Sequence, residues 1–122
     1  MFENTYETSP HIHKVVLETL DSPQARFCLD VGHLLAFAHS PWKEWLTTLG
    51  PWFGQLHLHD NHGMEDEHLP VGKGDFDFDG LFSYLKSNSC KPVITLEPRS
   101  EIDLWESLNA LDRLSLFDHK LS

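Results

Sequence analysis

Three short runs of the chain alternate between apolar and polar positions: RFCLD at 26–30, QLHLH at 55–59 and PVITLE at 92–97. That period of two, with β-branched and aromatic residues, predicts three strands. Helical spacing follows each of them. HLLAFAH and then WKEWLTTLG, closed by Gly50 and Pro51, follow the first strand. FDGLFSYLKS at 78–87 follows the second, after a long loop. SEIDLWESLNALDRL at 100–114 follows the third, with Ser100 as N-cap and Ile102, Trp105, Leu108 and Leu111 at three-residue spacing. Ahead of all three stands SPHIHKVVLETL, with Ser9 as cap and Pro10 at the first helical position. Alternating strand and helix predicts a parallel sheet. No linker or low-complexity tract divides residues 1–122, so one structural unit is expected.

The parity within the strands locates chemistry. Phe27 and Leu29 share one face, opposite Arg26, Cys28 and Asp30. Leu56 and Leu58 oppose Gln55, His57 and His59. Ile94 and Leu96 oppose Val93, Thr95 and Glu97. One face is thus suited to packing under helices, and the other delivers Asp30, His57 and Glu97 to the strands' C-terminal ends. Ligands bind at that edge of a parallel sheet. Oxygen and imidazole donors together suit Mn, Zn, Fe or Mg rather than a thiolate-selective ion. Glu3 stands before the first helix as Asp30 stands before the second, at the same spacing as separates Asp30 from His57.

The loop HLHDNHGMEDEHLPVGKGD, at 57–75, packs four histidines and five acidic residues into 19 positions without a helical period. It is expected to be an extended loop covering the site. His59 shares the inward face as a pocket or supporting residue, whereas His62 and Glu65 are expected in solvent. GKGD at 72–75 lacks the preceding strand and following Lys-Ser/Thr of a phosphate loop, so its glycines are read as turning the loop back over the pocket. His11, His13, His39 and His119 are expected on helix surfaces or at the terminus.

Composition narrows the classes. The 122 residues are 40% hydrophobic and carry a formal net charge of −10, with nine Lys and Arg scattered along the chain. That surface disfavours a nucleic-acid partner. No apolar run approaches the roughly 18 residues of a membrane span, and the N-terminus lacks the features of a signal peptide. A cytoplasmic setting is expected, with Cys28 and Cys90 as buried or incidental thiols.

ENTYE at 3–7, DVGH at 30–33, HLHDN at 57–61, DEHLPVGKGD at 66–75 and TLEP at 95–98 occur in that order. Together they resemble the later motifs of the xylose isomerase-like TIM barrels, which include sugar-phosphate isomerases and epimerases and the endonuclease IV type of enzyme. The resemblance implies an α/β fold: a partial (half) TIM barrel of about four βα units with a parallel sheet. The family fold has eight strands in about 250 residues, so residues 1–122 match a C-terminal half. By resemblance, Glu3, Asp30, His57 and Glu97 match the ligands of one divalent ion. Glu3 and Glu97 also match the carboxylate pair that removes and returns a proton. His33 matches a substrate contact or a metal ligand, and Asp66 and His68 match a metal-ligand pair of the endonuclease branch. The implied activity is metal-dependent sugar (phosphate) isomerisation or epimerisation. The alternatives are an endonuclease IV-like or cobamide-type phosphodiesterase, and a non-catalytic half barrel. The implied partners are a small sugar or phosphoester, and either a second copy of the chain or a missing N-terminal half.

Overall fold

The computed structural model describes residues 1–114; His119 lies outside the described residues. Four strands form one parallel sheet in sequential order: β1 (Phe2–Glu3), β2 (Phe27–Asp30), β3 (Phe53–Leu58) and β4 (Val93–Leu96). Helix α1 (His11–Leu20) joins the first two strands. A short α2 (Val31–His33) runs straight out of β2 into a π-helical turn, Leu34–Ala38. Helices α3 (Trp42–Leu49), α4 (Phe78–Ser87) and α5 (Glu101–Arg113) lie between or after the remaining strands. This is the βα order of a partial TIM barrel. No helix of the described residues is long and apolar enough to cross a membrane.

The apolar strand face is the core. Phe27, Leu29, Leu56 and Leu58 are buried there with Leu17, Trp45, Leu49, Leu81, Phe82 and Leu85 from the helices. Phe27 stacks on Trp45 with ring centroids 6.2 Å apart. Truncating a side chain such as Leu56 to Ala costs about 2–5 kcal/mol, because transfer free energy is lost and a cavity remains.

Four local expectations need correction. His13 is buried, not on the surface: it sits against Phe27 and Trp45, and its Nε2 lies 3.3 Å from Glu7 Oε1. The segment 33–39 is a π-turn, closed by His39 at φ +53, rather than an ordinary helix. Helix α1 starts at His11, with Pro10 at the cap and no side-chain cap hydrogen bond. In α5 the three-residue row is only partly the core face: Leu108 is half-buried and Leu111 buried, but its first two members are not. Ile102 and Trp105 are exposed, and Ser107, Ala110 and Leu111 are buried. A 3.6-residue period rotates a strict three-residue row off the core within two turns. Ser100 does cap α5, accepting from Asp103 N at 3.1 Å.

Candidate metal centre

The polar ends of the four strands converge. Asp30 is level with His57 across the β2–β3 ladder, and His57 is level with Thr95 across β3–β4. Glu97 follows β4, its N–H bonded to Leu58 O. Asn4 fastens the short first strand to the second: its Nδ2 donates to Asp30 O at 3.0 Å and its Oδ1 accepts from Asp30 N at 2.8 Å. That clamp brings Glu3 to the same edge.

One donor atom from each of Glu3, Asp30, His57 and Glu97 lies within 4.8 Å of the others. His57 Nδ1 is 2.7 Å from Glu97 Oε1, 3.2 Å from Glu3 Oε1 and 3.9 Å from Asp30 Oδ2. Ligand atoms about 2.0–2.2 Å from a common ion sit roughly 3 Å apart. Only the Glu3 contact is aligned as a hydrogen bond. Asp30 Oδ2 and Glu97 Oε1 are buried without a hydrogen-bond partner. A divalent cation would offset the repulsion among these carboxylates, so the four residues fit such an ion. Behind them, Gln55 Nε2 donates to Thr95 Oγ1 at 2.7 Å and lies 3.2 Å from His57 Nε2, fixing the ring from the rear.

The electrostatics agree. Burial raises the Glu3 carboxyl above its ordinary range, and the adjacent Asp30 carboxylate adds to the rise. Burial alone would also raise Asp30. The hydrogen bond and charge of His59 outweigh it and hold Asp30 at about 2. Conversely, burial would lower His59, but its contact with Asp30 prevails and raises it. Cys28, under the site, is pushed up to about 12 by burial and by Glu3, Asp30 and Glu97.

A second set of donors adjoins the first. Asp66 Oδ2 is 3.2 Å from His33 Nε2, and Asp66 Oδ1 is 3.3 Å from His68 Nε2. His59, whose ring is buried, completes a grouping with Asp66 and His68 in which all donor atoms lie within 4.8 Å. The loop that supplies Asp66 and His68 is held from inside. Asp60 is fully buried, and its carboxylate accepts from the backbone N–H groups of Asn61, Gly72, Gly74 and Phe76 at 2.9–3.1 Å. The GKGD amides therefore form an anion nest already filled by the chain's own carboxylate. Gly72 has φ +89, and a Cβ at Gly74 would overlap Asn61 O, so both glycines serve this turn. His62 and Glu65 are exposed, as are His11 and His39.

All seven sequence-derived candidates, Glu3, Asp30, His33, His57, Asp66, His68 and Glu97, thus meet at one edge of the sheet. Sequence reasoning passes over Asn4, Gln55 and Asp60 as functional supports, although each stands beside or between named residues. Gly32 belongs with them, because a Cβ there would overlap the His59 ring.

The family model for xylose isomerase-like TIM barrels matches residues 2–114. The chain belongs to the xylose isomerase-like TIM-barrel family. An uncharacterised protein of Methanocaldococcus jannaschii is 26% identical over 99% of this chain and 42% of its own length. A solved D-tagatose 3-epimerase-like protein superposes with a TM-score of 0.81 and 25% identity, covering 92% of this chain and 45% of that one. A Thermus thermophilus protein, in a structure from soaking with ZnCl2, gives 0.72 and 30%, covering 93% and 43%. This xylose isomerase-like chain spans less than half the length of each of these relatives. Its four parallel strands are half of the family's eight.

Proposed function

We propose that this chain carries the metal-binding half of a sugar isomerase or epimerase. The observation behind this reading is the meeting of Glu3, Asp30, His57 and Glu97 at the C-terminal strand edge, with buried carboxylate oxygens left without donors. Three carboxylates and one imidazole make a hard, anionic set that suits Mn or Mg, with Zn or Fe also accepted. A bound ion would polarise a carbonyl and the neighbouring hydroxyl of a sugar.

The chain's own residues would then move the proton. Glu3 and Glu97 both stand within 3.2 Å of His57 Nδ1 and so flank the same small volume. As a carboxylate, Glu3 takes the proton from the carbon beside the carbonyl. In an isomerisation Glu3 then returns that proton to the neighbouring carbon; in an epimerisation Glu97, entering the step as the acid, gives its own proton to the opposite face of the same carbon and is left as the carboxylate. The raised Glu3 carboxyl matches the role, since proton transfer is best served by a group whose pKa approaches the working pH. Asp30, kept ionised, holds charge and does not exchange protons.

The test is proton exchange in D2O. A ketohexose incubated with the chain and Mn is expected to incorporate deuterium beside its carbonyl, detected by NMR. Glu3→Gln and Glu97→Gln should each slow incorporation by about 10²–10⁴-fold. No incorporation at saturating metal would contradict the assignment.

A second reading, phosphodiester hydrolysis, is favoured by one observation: Asp66 and His68, with His59, form a second donor set beside the first. Hydrolysis of bis(p-nitrophenyl) phosphate without deuterium incorporation would select it. A non-catalytic half barrel predicts neither activity. On each reading the open edges of β1 and β4 call for a partner, which we propose to be a second copy of the chain or an N-terminal half barrel.

A further inference from the structure

The loops after β1 and β2 carry a row of rings that the proton transfer leaves unused. After β2 the chain widens into the π-helical turn, where His39 N–H bonds to Leu34 O, five residues back, at 3.1 Å. Such turns are rare and gather at functional sites. This one puts His33 and Phe37, four residues apart, on one side, with ring centroids 5.9 Å apart. Phe37 is half-buried, and the Tyr6 ring lies against it at 4.7 Å with 50° between the planes. Tyr6 itself is 72% exposed, yet its backbone is held on both sides. Asn4 is clamped to Asp30, and Glu7 accepts from Thr5 N at 2.7 Å while facing His13. The row begins at the metal centre, since His33 Nδ1 is 2.9 Å from Asn4 O and 3.8 Å from Glu3 Oε1. Exposed aromatic surface fixed beside a polar site offers a ligand a preorganised apolar ledge.

Among the described residues, the same rim disfavours a phosphate. TIM barrels frequently build a phosphate site from the loops after the last two strands and a helix N-terminus. Matched to a C-terminal half barrel, those loops are the ones after β3 and β4. After β3, the Gly72, Gly74 and Phe76 amides already bond to Asp60. After β4, helix α5 opens with Glu101 and Asp103 in its first turn, and Arg99 Nε is turned to Asp103 at 3.6 Å. Helix α4 is capped by Asp77 and carries Asp79 in its first turn. Carboxylates at these N-termini occupy the end of the helix that an anion would seek. No Lys or Arg occurs in residues 1–13, 27–42 or 53–72. His33, His57, His59 and His68 each lie against a carboxylate.

We infer that Tyr6 and Phe37 form the subsite for the non-reacting carbons of a sugar, and that this sugar is unphosphorylated. The inference rests on the isomerase or epimerase reading for where the carbonyl sits. With the carbonyl and its neighbouring hydroxyl at the metal centre, the remaining carbons pass His33 and lie over the Phe37 and Tyr6 rings. Their C–H groups leave water against the ring faces, and their hydroxyls stay toward solvent. A three-carbon sugar ends before the ledge, whereas a hexose reaches it. The ledge therefore selects for chain length, and the carboxylates around it select against negative charge.

NMR titration of the Mg-loaded chain tests this with three probes: fructose, dihydroxyacetone and fructose 6-phosphate. Saturating the aromatic protons is expected to transfer magnetisation to the fructose protons farthest from the carbonyl. Tyr6→Ala should weaken fructose by about 4–15-fold, one or two carbons being returned to water, and Tyr6→Trp should restore it. Dihydroxyacetone and Mg should bind both variants as they bind the wild type. Phe37→Ala should act in the same direction as Tyr6→Ala, and the exposed Tyr6 decides the matter if Phe37→Ala does not fold. Fructose 6-phosphate should bind more weakly than fructose, by roughly 10-fold or more. Equal fructose affinity in the wild type and Tyr6→Ala overturns the subsite, as does an equal loss for dihydroxyacetone. Tighter binding of fructose 6-phosphate than of fructose overturns the assignment of an unphosphorylated sugar. A Mg-loaded chain that binds no fructose overturns the inference whole. Deuterium exchange into fructose that Tyr6→Ala does not slow removes the inference and keeps the isomerase reading. Fructose held on the ledge without exchange does the reverse.

Discussion

Replacing Asp60 tests how the loop over the centre is held. The Asp60 side chain is fully buried, and each carboxylate oxygen accepts two backbone N–H bonds. Oδ1 serves Asn61 and Phe76, while Oδ2 serves Gly72 and Gly74. Asn has the same shape but only one acceptor oxygen. Asp60→Asn therefore keeps two of the bonds and sets an NH2 group against the other two donors. A hydrogen bond to a charged acceptor contributes about 1.5–3 kcal/mol, so losing two costs about 3–6 kcal/mol. That is a large share of the 5–15 kcal/mol typical of a domain. Asp60→Ala, losing all four, should leave little folded protein. Urea titration followed by circular dichroism, with linear extrapolation, measures the difference. A loss below about 1 kcal/mol in Asp60→Asn, with unchanged slope, would refute the idea that this carboxylate is the loop's anchor.

Three further outcomes are expected. Burial holds the His13 imidazole below its ordinary value of 6.5, so the unfolded chain takes up a proton first as the pH falls. His13 thus favours the folded state above about pH 6.5, and this contribution is lost on acidification. The wild type should lose more stability than His13→Gln between pH 7.5 and 5, and an equal loss would contradict the burial argument. Cys28, 2% exposed and raised to about 12, should resist iodoacetamide at pH 8 in the native chain, and rapid alkylation seen by peptide mass spectrometry would show that the site opens. The chain should self-associate in sedimentation equilibrium, because among the described residues β1 and β4 are the sheet's edges, and Ile12, Val15, Leu20, Ile102 and Trp105 are exposed on α1 and α5. A strict monomer with a cooperative thermal transition would show that the half barrel is self-sufficient.

Strand parity is enough to place Asp30, His57 and Glu97 on one face, because side chains alternate strictly and each strand keeps a clean aliphatic side. The α5 stripe misleads because Ile102 and Trp105 mimic a core row while facing outward, where hydrophobicity alone cannot tell a helix's core from its flank. The burial of His13 is hidden for a similar reason. Its neighbours Ile12 and Lys14 look like an ordinary surface helix, and only the tertiary approach of Trp45 buries it. Asp60 is legible as part of HLHDN, but its four donors come from as far as Phe76, and no sequence window contains that geometry. The contact of His59 with Asp30 is likewise a tertiary fact, present only once the two strands are paired.

The central claim, that Glu3, Asp30, His57 and Glu97 hold a divalent ion, is tested most directly by calorimetric titration of Mn into the chain and into His57→Ala and Asp30→Asn. The account predicts a saturable site in the wild type that weakens by at least 10-fold in both variants, with circular dichroism unchanged. Wild-type binding that neither substitution alters, or no binding at millimolar Mn, would contradict it.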